Sequence, residues 1–400
     1  MEYSTATTGV AGGGSTTAGV FDGRSLWCQL ATLSDQRHRR GRRYALPLLL
    51  LLVVLAKLSG EDRLSGIADW VKHRRARLAQ AMGLELARAP HHNTYRRVLA
   101  NAVTPEQLDQ VVQAFQAELS QAGHSVLISI DGKTLKGTID AEDRQGTHLL
   151  VAYLCEEGIV LQQVPTGHKS NEIGAARTLL EGVDLHGKIV AADAMHTQRA
   201  LSAQVVAAGG NYILPAKDNQ PTLRADIEQL FSGNDGTVEG GRIRHDFQTA
   251  QQTTKGHGRR EKRQITVSSE LKGYSDWPGL EQVFRLERQR TNSRTGKHEG
   301  ETVYGLTSLR SRDASPAQLL ALTRTYWGVE NGLHYCRDVT FHEDATRLTQ
   351  GNAGHVMASL NNMVIGLLRL AGHTNLAAAR RFCAADLANV FAMLGHLPRL

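Results

Sequence analysis

The sequence predicts an α/β protein in which a helical N-terminal segment precedes a core of strands and helices. Apolar residues recur at helical spacing up to about residue 121. Short apolar runs that are typical of buried strands begin near residue 125, and three of them follow one another before helices and strands alternate. The charge is divided as well: residues 37–100 hold 14 Lys and Arg against 4 Asp and Glu, a net charge of +10 in a chain of +7. The basic end therefore suits a polyanionic partner.

The composition excludes several classes of protein. With 400 residues, 41% of them hydrophobic and 21% charged, the chain has enough apolar material for two or three folded domains. Its 4 cysteines are far apart and form no Cys-x-x-Cys pair, which argues against a disulfide framework or a zinc ribbon. This cysteine usage predicts a protein of the reducing cytoplasm. The longest apolar run, residues 45–56, is shorter than the roughly 20 residues of a membrane span, so it predicts a core helix. Residues 1–24, rich in Gly, Thr and Ser, predict a disordered tail.

Residues 25–121 predict a helical DNA-binding domain. Its short helices include a basic one that follows Pro90, an arrangement that resembles a helix-turn-helix module. Asn93 or Thr94 is the predicted N-cap, which puts Arg96 and Arg97 in the first turns as candidate DNA contacts. A basic, solvated helix in an ordinary all-α domain is the alternative interpretation.

The core begins near residue 122. Three strands in succession, then helix, strand, helix and strand, is the order of a ribonuclease-H-like α/β fold. Residues 122–230 make the first part of this predicted core. Residues 231–305 are polar, rich in Arg, Gly and Thr, and predict a β-rich insertion. Residues 306–400 return to helix, continue the core and supply the C-terminal helices.

Two aspartates stand at the ends of predicted strands. Asp131 closes the first strand and Asp193 closes the fourth, each after an apolar run. Adjacent strand ends meet at one edge of an α/β sheet, so we expect the two side chains to come together. Burying an unpaired carboxylate costs several kcal/mol, which predicts a cation or a metal ion as partner. A turn or helix cap is the ordinary alternative for either aspartate alone.

Glu330 is the third candidate carboxylate. On a helix it would border an apolar stripe that packs on the sheet, made of Val329, Leu333 and Cys336. Glu343 and Asp344 compete with Glu330 for this role, although pairing with Arg347 is their ordinary explanation.

The three carboxylates predict a metal-dependent reaction on DNA. An all-oxygen site suits Mg²⁺ or Mn²⁺ better than zinc. Two such ions about 3.5–4 Å apart can support an in-line phosphoryl displacement, and the basic segment makes the DNA backbone the natural substrate. The sequence has no Gly-rich phosphate loop, no Gly-x-Ser-x-Gly elbow and no His-Glu-x-x-His motif. Hydrolases and metalloproteases of those kinds therefore lose support.

Weaker candidates for DNA contact follow the strands: Lys133, Lys136, Lys217 and Asn219. Solvated loop residues are the alternative for all four. His196, three residues after Asp193, is predicted to be a hydrogen-bonded structural histidine, with contact to metal-bound water or DNA as the alternative.

Several long motifs occur in one order along the chain: RHRRGRRYALPLLLLLVVLAKLSG, APHHNTYRRVL, ISIDGKTLKG, HKSNEI, VAADAMHTQ, NYILPAKDNQ and YWGVENGLHYCRDVTFHEDATR. On these motifs the chain resembles the bacterial insertion-sequence DDE transposases of the H-repeat-associated (ISAs-type) family, from about Asp35 to near its C-terminus. The resemblance implies a catalytic and metal-binding triad of Asp131, Asp193 and Glu330 with two Mg²⁺ or Mn²⁺ ions. It also implies binding to terminal inverted repeats, cleavage of the element ends, transfer of the 3′-OH to target DNA, a homodimer on DNA, and a bacterial, nucleoid-associated protein.

One signature of the wider transposase group is not kept. Of its Tyr-x-x-Arg-x-x-x-Glu-x-x-x-x-x-x-Lys pattern, Thr323 and Tyr326 occupy the Tyr and Arg places, and Arg337 stands at the Lys place as a further candidate for DNA contact. Two other functions stay open from the sequence. One is a catalytically inert, host-resident DNA-binding relative, and the other is a metal-dependent nuclease of the same fold without strand transfer.

Overall fold

The computed structural model describes residues 23–119, 126–166, 172–232, 237–238, 241–242, 246–256 and 258–394. The predicted disordered tail therefore lies almost wholly outside the described residues, as does part of the HKSNEI motif. The N-terminal segment is helical as predicted, with α1 (Gly23–Leu30), α2 (Leu46–Leu58), α3 (Leu64–Met82), α4 (His92–Asn101) and α5 (Pro105–Leu119).

The apolar run of α2 is a core helix, as predicted, because nearly all its residues are buried. Across the described ranges, none of the helices is both long and apolar enough to cross a bilayer. Helix α4 begins earlier than predicted: the Nδ1 atom of His91, and not Asn93 or Thr94, accepts the capping hydrogen bond, from the backbone N–H of Asn93 at 3.3 Å. An imidazole nitrogen can serve as the N-cap acceptor, so the predicted N-cap is wrong by two or three residues.

Nine strands form one sheet in the order β3-β2-β1-β4-β5-β11-β10-β9-β8, and β6 and β7 form a separate hairpin. The strands are β1 (Leu127–Thr134), β2 (His148–Leu154), β3 (Ile159–Pro165), β4 (Ile189–Ala192), β5 (Asn211–Ala216), β6 (Thr237–Val238), β7 (Gly241–Arg242), β8 (Gln248–Gly256), β9 (Arg259–Ser268), β10 (Gln282–Asn292) and β11 (His298–Thr307). Strand β1 pairs antiparallel with β2 and parallel with β4, and β4 pairs parallel with β5. This order confirms the predicted ribonuclease-H-like fold.

The β-rich segment continues the core sheet. Strands β8–β11 form consecutive antiparallel pairs, and β11 joins β5 through the register Leu306↔Leu214. Inward residues of these strands, such as Val283 and Leu306, belong to the same apolar cluster as Ile128 and Val190 of the central strands. The sheet is therefore one structural unit from β3 to β8.

Helices cover both faces of the sheet. The remaining helices are α6 (Glu172–Glu181), α7 (Arg199–Ala207), α8 (Pro221–Ser232), α9 (Pro316–Thr325), α10 (Ala353–Leu370), α11 (Leu376–Ala385) and α12 (Leu387–Met393). Helices α6, α7 and α8 pack on one face, while α5, α9 and α10 pack on the other. Helix α10 is almost fully buried and contacts α2, α4 and α5, so the N-terminal helices and the C-terminal helices share one core.

Candidate active site

Asp131 and Asp193 leave the parallel β1–β4 ladder at the same level. The pair Ile130↔Ala192 is the last of this ladder, so each aspartate is the next residue along its chain. Strand β1 continues to Thr134 because its pairing with β2 extends further than its pairing with β4. Asp131 therefore lies within a strand, not at its end as predicted. The predicted juxtaposition of the two chain positions nevertheless follows directly from the register.

Both aspartates belong to the same face of the sheet. Side chains alternate along a strand, which puts Asp131 on the face of Leu127, and Asp193 on the face of Ala191. Leu127 and Ala191 pack in one cluster with residues of α9. Val151, which pairs with Asp131 across the β1–β2 ladder, packs in another cluster with the segment that follows α9. The aspartates thus face the chain segment that carries Glu330.

Asp193 is held by the turn that follows it. Its carboxylate accepts a hydrogen bond from the backbone N–H of Met195 at 3.1 Å and is 53% exposed. The side chain of Asn219 donates to the carbonyl of Ala194 at 2.5 Å, which fastens this turn to the loop after β5. The side chain of Asn219, predicted to contact DNA, therefore stabilises the turn that holds Asp193.

The segment that carries Glu330 is a π-helix, which the sequence did not predict. The backbone N–H of Tyr335 donates to the carbonyl of Glu330, and that of Phe341 donates to the carbonyl of Cys336 at 3.0 Å. These i→i+5 bonds span Glu330–His334 and Cys336–Thr340. The predicted packing stripe is confirmed, because its three members are buried: Val329, Leu333 and Cys336.

Asp131, Glu330 and His334 converge into one cluster. Their ligand atoms all lie within 4.8 Å of one another. His334 is 4% exposed, and its Nε2 atom lies 3.2 Å from Oδ2 of Asp131. Among the described residues, neither ring nitrogen of His334 has a hydrogen-bond partner of suitable geometry. The sequence analysis gave His334 no role, although the i, i+4 spacing of Glu330 and His334, two potential ligands, was the available signal.

The buried side chain of Tyr326 is influenced by Asp193 as well as by the carboxylates of this cluster. Burial raises the pKa of the Tyr326 phenol, and the charges of Asp131, Asp193 and Glu330 raise it further. One side chain thus experiences all three predicted carboxylates. Among the described residues, however, the carboxylate of Asp193 stands outside the 4.8 Å cluster, since it is engaged in capping its own turn.

A second cluster lies on the opposite face of the same strand. Nε2 of His148 lies 2.7 Å from one oxygen of Glu172, Nε2 of His196 lies 3.6 Å from the other, and Thr134 contacts Nδ1 of His148 at 2.7 Å. Burial alone would raise the pKa of Glu172, but the two imidazoles lower it to about 2. His196 is buried as expected of a structural histidine, but its Nε2 atom lies just outside hydrogen-bond distance of Glu172, and its Nδ1 atom has no hydrogen-bond partner in the described ranges of the chain. The sequence analysis missed Glu172 and His148, because the cluster is assembled from separate segments.

An open cavity of about 130 Å³ lies beside Asp193. Ile213 and Phe284 contribute to its apolar floor, while Lys217 and Arg288 are the cations on its walls. Trp327, which is 47% exposed, also lines this cavity, and the guanidinium of Arg288 lies 5.5 Å from the centre of its ring. The site is therefore accessible from the side of β5 and β10.

The predicted DNA contacts divide by exposure. Four of the cations are exposed: Arg96, Arg97, Lys136 and Lys217. The basic N-terminal segment adds further exposed cations to the first two, namely Arg39, Arg40, Arg42, Arg43, Lys72, Arg75, Arg77 and Arg88. These side chains give the N-terminal helices a positively charged surface.

Lys133 and Arg337 are instead buried in ion pairs. Lys133 lies 2.6 Å from Asp338 and 3.6 Å from Asp344. Arg337 has no exposed surface and pairs with Glu343 at 2.8 Å, so Glu343 has Arg337 and not Arg347 as its partner. A guanidinium without exposed surface does not reach a DNA backbone, so Arg337 is left out of the DNA contacts proposed below.

Two protein families match the chain. Residues 27–116 match the DDE_Tnp_1-associated family, and residues 122–367 match the Transposase DDE domain family. The second match includes both aspartates, Glu330 and His334.

Curated relatives match over most of their length. "Putative transposase YncI" of Escherichia coli O157:H7 is 29% identical over 351 residues, which cover 86% of this chain and 87% of that protein. "H repeat-associated putative transposase YhhI" of Escherichia coli (strain K12) is 28% identical over 350 residues, which cover 86% and 90% of the two chains. Among solved structures, the cryo-EM structure of the piggyBac transposase synaptic complex with hairpin DNA aligns with a TM-score of 0.46 and 9% identity, over 95% of this chain and 82% of that chain.

Proposed function

The chain belongs to the Transposase DDE domain family, and on that premise we propose that it is the transposase of a bacterial insertion sequence. It binds the terminal inverted repeats of its element in double-stranded DNA, cleaves the phosphodiester bond at the element ends and joins the freed 3′-OH to target DNA. The observation that carries this proposal is the convergence of Asp131 and Glu330, with Asp193 one strand away at the same level.

The donor set fits a hard divalent cation. Asp131, Asp193 and Glu330 would hold two Mg²⁺ or Mn²⁺ ions, because carboxylate oxygens are the ligands that these cations prefer. When bound, the ions would activate the attacking oxygen and stabilise the leaving oxygen of the phosphate. The convergence of His334 with Asp131 and Glu330, whose ligand atoms lie within 4.8 Å of one another, supports a site built to receive a cation.

The protein itself supplies position and electrostatics. The β1–β4 ladder fixes the separation of the two aspartates, and Asn219 fastens the turn after Asp193. Lys217 on the cavity wall and the exposed Lys136 after β1 are proposed to attract the phosphates of the reacting strand. Lys133 is proposed to act at shorter range, through the partly exposed carboxylates of Asp338 and Asp344 that it neutralises.

The N-terminal helices are proposed to bind the inverted repeats. Their exposed cations, Arg96 and Arg97 of α4 among them, would neutralise phosphates and release counterions. We propose a homodimer on DNA, because two element ends must be processed together. Its substrate would make it a nucleoid-associated protein of the bacterial cytoplasm.

The test uses the full chain with a labelled duplex that ends in the inverted repeat found beside the coding region, and a plasmid as target. We expect Mg²⁺-dependent nicking at the repeat end, followed by transfer of the label to the plasmid, with a chelator as the control. Nicking without transfer would favour the nuclease. Binding without nicking would favour the catalytically inert relative.

A further inference from the structure

His334 is a buried histidine. It is 4% exposed, and within the part of the chain that the structure describes neither Nδ1 nor Nε2 has a hydrogen-bond partner of suitable geometry. An unsatisfied buried polar atom destabilises the fold. A ligand shared with the neighbouring carboxylates would satisfy the ring.

The distances around His334 are those expected between ligands of one cation. Two ligand atoms at right angles around an ion with bonds of about 2.1 Å lie about 3 Å apart. Nε2 of His334 lies 3.2 Å from Oδ2 of Asp131, yet the two atoms do not meet the geometry of a hydrogen bond. A carboxylate oxygen of Glu330 lies within 4.8 Å of both.

We propose that His334 is a direct ligand of a divalent cation that it shares with Asp131 and Glu330. This inference rests on the proposed function, and it adds a nitrogen donor to a site otherwise made of oxygen. Glu330 and His334 are the first and last residues of one π turn, and both reach Asp131. An imidazole ligand favours Mn²⁺ over Mg²⁺ relative to an all-carboxylate site, since Mg²⁺ prefers oxygen.

His196 provides a matched control within the same protein. It too is buried, and its Nδ1 atom has no hydrogen-bond partner among the described residues. Its Nε2 atom lies 4.0 Å from Asp193, but that atom also faces Glu172 at 3.6 Å. If any buried histidine near a predicted ligand bound the cation, His196 would do so as well. The proposal assigns the nitrogen ligand to His334 alone.

The experiment is electron spin-echo envelope modulation of Mn²⁺ bound to the full chain in complex with the inverted-repeat duplex. We expect ¹⁴N modulation from a coordinated imidazole, converted to a ¹⁵N pattern when the protein is labelled with ¹⁵N-histidine. His334→Gln should remove the modulation and raise the Mn²⁺ dissociation constant at least about tenfold. His196→Gln should keep both. His334→Asp should restore tight binding without nitrogen modulation and shift the preference towards Mg²⁺.

The outcomes separate this inference from the proposed function. Mn²⁺ bound to the wild type without nitrogen modulation would overturn the role of His334 and leave the metal-dependent reaction standing. Modulation that persists in His334→Gln would also overturn it, by assigning the nitrogen to another histidine. A wild type that binds no Mn²⁺ in the DNA complex would contradict both proposals. Because the first observation is made on the wild type, it does not depend on how any variant folds.

Discussion

Two clusters of carboxylate and histidine side chains lie on opposite faces of β1, and they differ in how far their carboxylates are buried and paired. On the α6 face, each oxygen of Glu172 faces an imidazole, from His148 and His196, and all three side chains are buried. On the other face, Asp131 is 29% exposed and Glu330 is exposed, so the carboxylates around the buried His334 remain open to solvent. We call these the closed cluster and the open cluster. The same residue types therefore stabilise the fold on one side and keep capacity for a ligand on the other.

The separation of the two clusters depends on one step along β1. Asp131 and the next residue, Gly132, belong to opposite faces, since side chains alternate along a strand. A Cβ atom at Gly132 would lie 2.7 Å from His148 and 2.8 Å from Glu172. The glycine thus makes room for the closed cluster directly behind the aspartate of the open one.

The largest expected effect is the loss of cleavage when Asp193 or a carboxylate of the open cluster loses its charge. Asp131→Asn, Asp193→Asn and Glu330→Gln should each lower end cleavage at least about 10³-fold, because a neutral amide no longer supplies the charge that a cation ligand must provide. DNA binding, measured by gel shift, should persist. Nicking of the labelled inverted-repeat duplex in Mg²⁺ measures the effect.

Glu343→Gln is the matched control for Glu330→Gln. Glu343 is a buried partner of Arg337 and Asn361, so its neutralisation should cost about 3–5 kcal/mol of unfolding free energy while the folded fraction still cleaves. If Glu343→Gln abolishes cleavage in folded protein and Glu330→Gln does not, the third ligand moves to Glu343.

The strand half of the open cluster could be predicted from the sequence. An apolar run followed by a single acid is a strong local signal, and the parallel register then brings Asp131 and Asp193 to one level. The helical half was predictable only in part. The apolar stripe of Val329 and Leu333 indicates which face packs, but it does not encode whether hydrogen bonds span four residues or five.

The closed cluster could not be predicted, because its members come from β2, α6 and the turn after β4. No spacing in the sequence relates His148, Glu172 and His196. The joining of β11 to β5 is similar: the strands of residues 231–305 are recognisable by alternation, yet their partner in the core is set by the tertiary fold. Contacts between segments that are distant in sequence were therefore not predictable from local patterns.

A smaller effect, on the unfolding free energy, is expected from Gly132→Ala, which adds a methyl group on the side of β1 that faces the closed cluster. The new methyl group would meet His148 and Glu172 well inside van der Waals contact, so we expect a loss of about 1–3 kcal/mol in unfolding free energy. Urea denaturation followed by circular dichroism measures this loss. Gly174→Ala on α6 is the control, because a Cβ there would meet none of the described atoms within 4 Å, and alanine in a helix should raise stability by about 0.5–1 kcal/mol.

Equal stability of the two alanine variants would show that the closed cluster accommodates the added methyl group. The conclusion that Gly132 makes room for this cluster would then be wrong. Measuring cleavage per folded molecule of Gly132→Ala tests the same difference between the closed and the open cluster. We expect that activity to fall less than the activity of Asp131→Asn, because the methyl group points away from the open cluster.

The smallest expected effect is the pH dependence that Glu172 gives to stability. The pKa of a glutamate carboxyl is ordinarily 4.5, and that of Glu172 is lowered to about 2 in the folded protein, where His148 and His196 face the charged form. Between these values the unfolded chain binds more protons than the folded one, so unfolding free energy falls as the pH drops below about 4.5. The contribution is fully present at neutral pH, and we expect at most about 1 kcal/mol of it to be lost by pH 4.

The measurement compares the wild type with Glu172→Gln, since other carboxyl groups titrate in the same range and cancel in the difference. Urea denaturation at pH 7, 5, 4 and 3.5 should give a stability gap between the two proteins that narrows as the pH falls. A gap that stays constant would mean that the imidazoles do not favour the charged carboxylate. A gap that widens would mean that Glu172 is held in its protonated form, and the closed cluster would then be no ion pair.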